Sequence, residues 1–172
     1  MAYNNRKAAY FSGLGFIEAG LRCFEPISIA PNKISAPIPA GLVNLAFGCE
    51  VLLKALLQQE GKTQSGHALS ILFNALRDEG REAILKECAT YVAEDSAACE
   101  VGIASVSKVF EDLRYHWERL NDFRLNPQYL LGMAYGCVVL YRSRSLESLN
   151  EPPDHVFLRL KAQSRAITSP GT

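Results

Sequence analysis

Two charged residues stand in the most apolar stretch of the chain, and they are the first candidates for chemistry. Glu50 and Lys54 lie four residues apart in LVNLAFGCEVLLKALL, the stretch from Leu42 to Leu57, which contains no other charge. The apolar residues around them recur at helical spacing, which predicts a central helix with both charges on an apolar stripe. Because an unpaired buried charge costs several kcal/mol, we expect the carboxylate and the ammonium to be paired inside the fold.

Further candidates lie in later segments. His67 follows a glycine at the start of the next apolar run, and it is the candidate proton carrier because a neutral imidazole exchanges protons near pH 7. Arg114 and Glu118 lie four residues apart in a later helix, next to Tyr115. The guanidinium of Arg114 can clamp a phosphate through two donors, and Tyr115 can supply a stacking face or a hydroxyl.

Each of these features also has a structural interpretation. A glutamate four residues before a lysine is an ordinary helix pair, which contributes only about 0.3 to 0.5 kcal/mol on a surface. His67 can cap its helix or pack its ring, and Arg114 with Glu118 can form a solvated ion pair. The sequence leaves both interpretations open.

The apolar spacing and the helix breakers predict an all-helical chain, folded as an up-and-down bundle of five or six helices. The predicted helices cover residues 4–24, 42–57, a run opened by His67, a run from about Arg81, residues 101–120 and residues 126–141. Four prolines between Glu25 and Ala40 predict an extended connector. No alternating strand or hairpin turn stands out.

The chain divides by composition into a bundle over residues 1–145 and a polar C-terminal extension over residues 146–172. Pro152 and Pro153 interrupt any helix in the extension, whose end we expect to be frayed from about Ala166. The region around it is locally basic, which indicates either a solvated tail or an electrostatic contact for RNA. The basic residues are Arg142, Arg144, Arg159, Lys161 and Arg165.

The overall composition is that of a single soluble domain. The 172 residues are 48% hydrophobic, and 18 basic residues balance 18 acidic ones, so the chain has no general positive field for nucleic acid or membrane. The five cysteines lack metal-ligand spacing and indicate reduced thiols in a cytoplasmic protein. We expect no membrane span, no metal and no cofactor, since no cofactor-binding motif occurs.

Three segments in this order resemble the HEPN superfamily of helical domains over about residues 4–142. They are NLAFGCEVLLKALLQQEGK, GHALSIL and FEDLRYHWE, whose matching positions are Glu50, Lys54, Gly66, His67, Leu69, Phe110, Arg114, Tyr115 and Glu118. The resemblance implies a homodimer with a polar cleft near the dimer seam. It also implies RNA binding or metal-independent RNA cleavage, often within toxin–antitoxin pairs or phage defence.

The chain departs from that family at one motif. Cleaving members carry an arginine and a histidine separated by four to six residues, and none of the three histidines here has such an arginine. Lys62 in KTQSGH comes closest, but lysine lacks the planar fork of arginine. If the protein cleaves RNA, we predict His67 as the proton carrier and Arg114 as the anion holder. The alternative is a non-catalytic dimer that binds a protein partner such as a cognate toxin or antitoxin.

Overall fold

The computed structural model describes residues 2–25, 27–30, 33–114, 126–145 and 155–168. Within these ranges the chain forms eight helices and two short strands. The predicted all-helical class is confirmed, with more helices than the five or six expected. The helices are α1 (Ala2–Cys23), α2 (Ile38–Gln59), α3 (Leu69–Asn74), α4 (Asp78–Val92), α5 (Ser96–Ser105), α6 (Val109–Arg114), α7 (Gln128–Arg144) and α8 (His155–Thr168), and the strands are β1 (Ile27–Ala30) and β2 (Lys33–Ser35).

Helices α1 and α2 lie antiparallel and touch along two pairs of glycines. Gly13 faces Gly48, and Gly20 faces Gly41, so each helix repeats its glycine after seven residues. A Cβ atom added at Gly48 would lie 3.1 Å from the Gly13 carbonyl oxygen, and one added at Gly41 would lie 3.2 Å from that of Gly20. The absence of side chains therefore lets the two backbones approach closely, as small residues do at other helix contacts.

Helix α7 runs parallel to α2 on the other side of the core. Near the start of α7, Cys49 Sγ donates a hydrogen bond to the Leu130 carbonyl oxygen at 3.3 Å. At the far end, Gln59 Nε2 donates to Ser145 Oγ at 3.0 Å. Two contacts in the same order along both helices fix their parallel direction and register.

Helix α4 packs antiparallel against the opposite face of α7. A Cβ atom at Gly132 would lie 2.7 Å from Cys88 Sγ, and one at Gly136 would lie 2.8 Å from the Ile84 carbonyl oxygen. Both glycines are needed for this approach, which brings the buried Ile84 and Cys88 into the core. Helix α7 is thereby held between α2 and α4.

The central helix α2 is confirmed where the apolar stripe predicted it. Among the described helices it alone is long and apolar enough to cross a membrane, with 22 residues and a mean hydropathy of 1.7 in its best window. However, 67% of that window is buried within the protein. Burial of this extent is the pattern of a core helix in a bundle.

The proline-rich connector contains a short hairpin that the residue spacing did not indicate. Strands β1 and β2 pair antiparallel, with Ile27 opposite Ser35 and Ser28 opposite Ile34. The strands have only four and three residues. Such short segments are too brief for an alternating pattern to emerge from the sequence.

The single helix predicted over residues 101–120 is wrong in its first half. Helix α5 begins earlier, where the Asp95 side chain accepts a hydrogen bond from the Ala98 N–H at 2.7 Å and caps the helix. It ends at Ser105, and α6 starts at Val109 after a turn. The second half of the predicted helix, beyond α6, lies outside the described residues.

The C-terminal part is not the solvated tail that its polarity suggested. Helix α8 packs against α1, α4 and α7, with Val156 and Leu160 buried. Arg159 binds Glu18 at 3.0 Å and also pairs with Glu25, which anchors α8 to α1. An apolar pair four residues apart, Val156 and Leu160, gives α8 a buried face.

Candidate functional site

The carboxylate of Glu50 lies at the centre of the candidate site. Glu50 is only 3% exposed, although it carries a charge. Its Oε1 atom accepts a hydrogen bond from Lys54 Nζ at 2.7 Å, which confirms the predicted pairing. The Lys54 side chain is 32% exposed, so the pair reaches from the core to the surface. We expected both charges to lie inside the fold, and only the carboxylate does. This position leaves the ammonium partly hydrated and reduces the cost of burying the carboxylate.

His67 completes the cluster from the loop after α2. Its Nδ1 atom lies 3.0 Å from Glu50 Oε2 and 3.1 Å from Oε1. An ionised carboxylate can only accept hydrogen bonds, so Nδ1 carries the proton in this contact. The His67 side chain is 54% exposed. The structure thus brings together two predicted candidates and fixes the orientation of an accessible imidazole.

The loop that carries His67 is held by local geometry at both ends. Gly66 has a φ of +99°, a left-handed conformation that favours glycine over residues with a Cβ atom. Lys62 Nζ donates to the Ala75 carbonyl oxygen at 2.8 Å and lies 3.3 Å from Glu60 Oε2. Lys62 therefore ties the loop to the end of α3, a structural role that the sequence did not reveal.

Ser107 holds the other side of the histidine segment. Its carbonyl oxygen accepts a hydrogen bond from the Leu69 N–H at 3.1 Å, and its Oγ accepts one from the Ser70 N–H at 2.9 Å. The Ser107 hydroxyl in turn donates to Ser70 Oγ at 2.7 Å. Ser107 is 6% exposed. Sequence reasoning missed this residue, whose only signal is a polar side chain within the apolar run VGIASVSKVF.

The remaining predicted site residues lie near or beyond the end of α6. Helix α6 packs against α2, the helix of Glu50, and Arg114 is its last residue. The Arg114 side chain lies outside the described part of the structure, as do Tyr115 and Glu118. The phosphate contact expected of Arg114 and the stacking or hydroxyl contact expected of Tyr115 stay predictions.

A second carboxylate, that of Glu60, was not predicted and has a structural role. It accepts hydrogen bonds from Arg144 Nη1 at 3.0 Å and from the Arg77 N–H at 2.9 Å, and it pairs with Lys62. Burial acts to raise the pKa of Glu60, but the bonds from Arg77, Arg144 and Lys62 outweigh it and lower the pKa. The ends of α2 and α7 and the start of α4 are joined here, so Arg144 belongs to the core structure and not to a solvated tail.

The buried cysteines offer no competing chemistry. Cys49, Cys88, Cys99 and Cys137 are free and buried, while Cys23 is partly exposed. Burial raises the pKa of the thiols of Cys49, Cys88 and Cys137, which keeps them protonated. Within the described residues, no three His, Cys, Asp or Glu side chains converge as metal ligands.

The arrangement of Glu50 and His67 can perform proton transfer. A carboxylate bound to Nδ1 holds the imidazole in one tautomer and stabilises the imidazolium that forms when Nε2 takes up a proton. The pair therefore has the parts of a general base, namely an oriented imidazole and the residue that orients it. Lys54 adds a positive charge on the same carboxylate oxygen.

No family model matches the chain, and no curated protein or solved structure is significantly similar to it.

Proposed function

We propose that this chain is an RNA-associated helical domain of the HEPN type that cleaves RNA without a metal ion, using His67 as proton carrier. One observation carries the proposal, namely the contact of 3.0 Å between Nδ1 of a half-exposed imidazole and the buried carboxylate of Glu50. A purely structural histidine has little need of a buried charge on one side and solvent on the other. Proton transfer to a substrate requires an accessible ring nitrogen, and a carboxylate on the other nitrogen orients the ring for it.

The proposed reaction is an internal attack within the RNA backbone. The imidazole of His67 takes the proton of a ribose 2′-hydroxyl through Nε2, the ring nitrogen opposite Glu50. The 2′ oxygen forms a bond to the adjacent phosphorus, and the bond from phosphorus to the 5′ oxygen breaks. The leaving 5′ oxygen takes a proton from water, which yields a 2′,3′-cyclic phosphate and a 5′-hydroxyl. No redox change or cofactor is involved.

Arg114 is the proposed anion holder in this reaction. The packing of α6, which ends at Arg114, against α2, the helix that carries Glu50, supports that role. A guanidinium can bind two phosphate oxygens at once and stabilise charge that develops during the attack. Tyr115 and Glu118 belong to the same proposed RNA-binding segment. Toxin or phage-defence activity would follow if the cleaved RNA were essential to the cell.

The experiment uses the full chain, mixed cellular RNA and a chelator in excess. The expected product carries a 2′,3′-cyclic phosphate. We expect His67→Ala to lower the cleavage rate by about 10² to 10⁴-fold, the range typical for loss of a general base. Glu50→Gln preserves side-chain volume but removes the charge that orients the ring, so we expect a loss of similar order. Arg114→Ala should weaken RNA binding.

His155 provides a matched control. It is also exposed and lies near a carboxylate, with its Nε2 atom 4.0 Å from Glu18 Oε2 on α1. His155→Ala should leave the cleavage rate unchanged. Equal activity of wild type and His67→Ala would refute the catalytic assignment, provided that contaminating nuclease is excluded with a mock purification.

A second candidate is a non-catalytic dimer that binds a protein partner. Two large apolar side chains favour it, since Ile71 on α3 and Val101 on α5 are mostly exposed on neighbouring helices. In this alternative the Glu50 cluster only fixes the position of the loop. Ile71→Ser combined with Val101→Ser should then abolish dimerisation or partner binding, measured by light scattering, and the purified protein should leave RNA intact.

A further inference from the structure

Two buried polar residues hold the same short segment from opposite sides. Within the described residues, Glu50 and Ser107 are the polar or charged residues that are buried as whole residues, although the side chain of Glu60 is also only 4% exposed. Glu50 binds His67, and Ser107 binds Leu69 and Ser70, which follow His67 by two and three residues. A buried polar group costs free energy unless it is fully hydrogen-bonded, so its presence requires a purpose that an apolar residue cannot serve.

The break between α5 and α6 also provides hydrogen bonds to the segment after His67. In a continuous helix, the carbonyl oxygen of Ser107 would accept a hydrogen bond from the N–H four residues later. The turn after Ser105 leaves that oxygen to the Leu69 N–H at 3.1 Å instead. The helix is therefore interrupted, and both the carbonyl oxygen and the hydroxyl of Ser107 form hydrogen bonds with the start of α3. No glycine or proline in the turn accounts for the interruption.

We infer that Ser107 is a positioning residue, which holds the segment after His67 so that the imidazole meets Glu50 in a single orientation. Ser70 and Ser107 exchange two hydrogen bonds, at 2.9 and 2.7 Å, across 37 residues of sequence. The His67 side chain is more than half exposed, so the position of its backbone helps to set how the ring meets Glu50. The effect of Ser107 on activity rests on the proposed function, whereas its effect on the orientation of the His67 ring does not.

The test is nuclear magnetic resonance on the full chain with Ser107→Ala. In wild type, ring ¹⁵N shifts should place the proton of neutral His67 on Nδ1. In Ser107→Ala we expect the Nε2–H tautomer to appear in a substantial fraction. Amide exchange of Ser70 should become about tenfold faster, because its N–H loses a buried acceptor. In the RNA assay, kcat should fall while KM stays within about twofold, since substrate contacts are retained.

Two further variants keep the result decisive. Ser105→Ala is the control, because Ser105 Oγ donates only to the Gly102 carbonyl oxygen of its own helix, at 2.6 Å, and its loss should move neither readout. Ser70→Ala removes the Oγ acceptor but keeps the amide bond, so it should give a smaller shift of the same kind, even if Ser107→Ala does not fold. An unchanged tautomer in Ser70→Ala and Ser107→Ala would overturn the inference. Absence of RNA cleavage in wild type, with the tautomer shift present, would overturn only the proposed function.

Discussion

Replacing Gly136 by alanine should destabilise the protein even though alanine is the better helix former. Gly136 lies in the interior of α7, and a Cβ atom there would stand 2.8 Å from the carbonyl oxygen and 3.1 Å from the Cα atom of Ile84. Both are backbone atoms of α4, and Ile84 is fully buried. The added methyl group therefore cannot be accommodated by rotating a side chain, and the two helices must move apart.

The magnitude follows from two opposed effects. Alanine in place of glycine within a helix gains about 1 kcal/mol. Overpacking a tight core costs about 1 to 3 kcal/mol, and a backbone obstacle puts Gly136 at the upper end of that range. The net expectation is a loss of about 2 kcal/mol in the free energy of unfolding. For a chain of this size such a loss lowers Tm by about 4 to 8 °C.

Gly15 supplies the matched control within another helix. Nothing lies within 4 Å of a Cβ atom added at Gly15 in the interior of α1. Gly15→Ala should therefore show the propensity gain alone, about 1 kcal/mol of added stability. Urea unfolding followed by circular dichroism measures both variants against wild type. A Gly136→Ala protein as stable as wild type, with Gly15→Ala raised, would show that α4 and α7 are not in the close contact described.

Three further outcomes follow from burial and charge. Glu60 contributes stability through its lowered pKa, and this contribution should be lost progressively as the pH falls below the ordinary carboxyl pKa. The midpoint of urea unfolding should therefore fall less steeply with acidification in Glu60→Gln than in wild type. Leu160→Ala should lower the free energy of unfolding by about 2 to 5 kcal/mol, because Leu160 is buried where α8 packs. Leu158 is largely exposed on the same helix, so Leu158→Ala should change the free energy of unfolding by at most about 0.5 kcal/mol in the same assay. In a native thiol titration we expect Cys23 alone to react, with the four buried cysteines reacting after denaturant is added; rapid reaction of a buried thiol would contradict the packing of the core.

The helices with strong apolar periodicity could be predicted from the sequence. The stripe around Glu50 and Lys54 placed α2 correctly, and the end of that helix near Gly61 is confirmed. The start of α7 was also foreseen, since Asn126 Oδ1 accepts a hydrogen bond from the Gln128 N–H at 3.0 Å beside Pro127. In these places local patterns and tertiary packing favour the same structure.

The failures occur where distant residues decide the local conformation. The turn at Ser107 has no helix breaker and exists because the backbone of α3, some 37 residues earlier, supplies the hydrogen bonds. Helix α8 was not predicted because its composition is polar. Among its described side chains, the fully buried ones are Val156 and Leu160. Single-sequence patterns carry no information about partners that are remote in the chain.

The candidate site was foreseen in its residues but not in its geometry. Glu50 and His67 were both singled out, yet their contact across 17 residues depends on the conformation of Gly66 and on the anchor at Ser107. Glu60 escaped notice because its partner Arg144 lies 84 residues away. A charged residue at the end of an apolar helix looks like ordinary surface until its partner is known.

The cluster around Glu60 also bears on how long the folded protein lasts. Its arginine partner lies at the end of α7, 84 residues along the chain, so we expect this junction to close late in folding. Interactions formed late contribute little to the rate of folding and mainly slow the rate of unfolding. We therefore expect the contacts of Glu60 between α2, α4 and α7 to slow the unfolding of the native protein. They should have much less effect on the rate at which it folds.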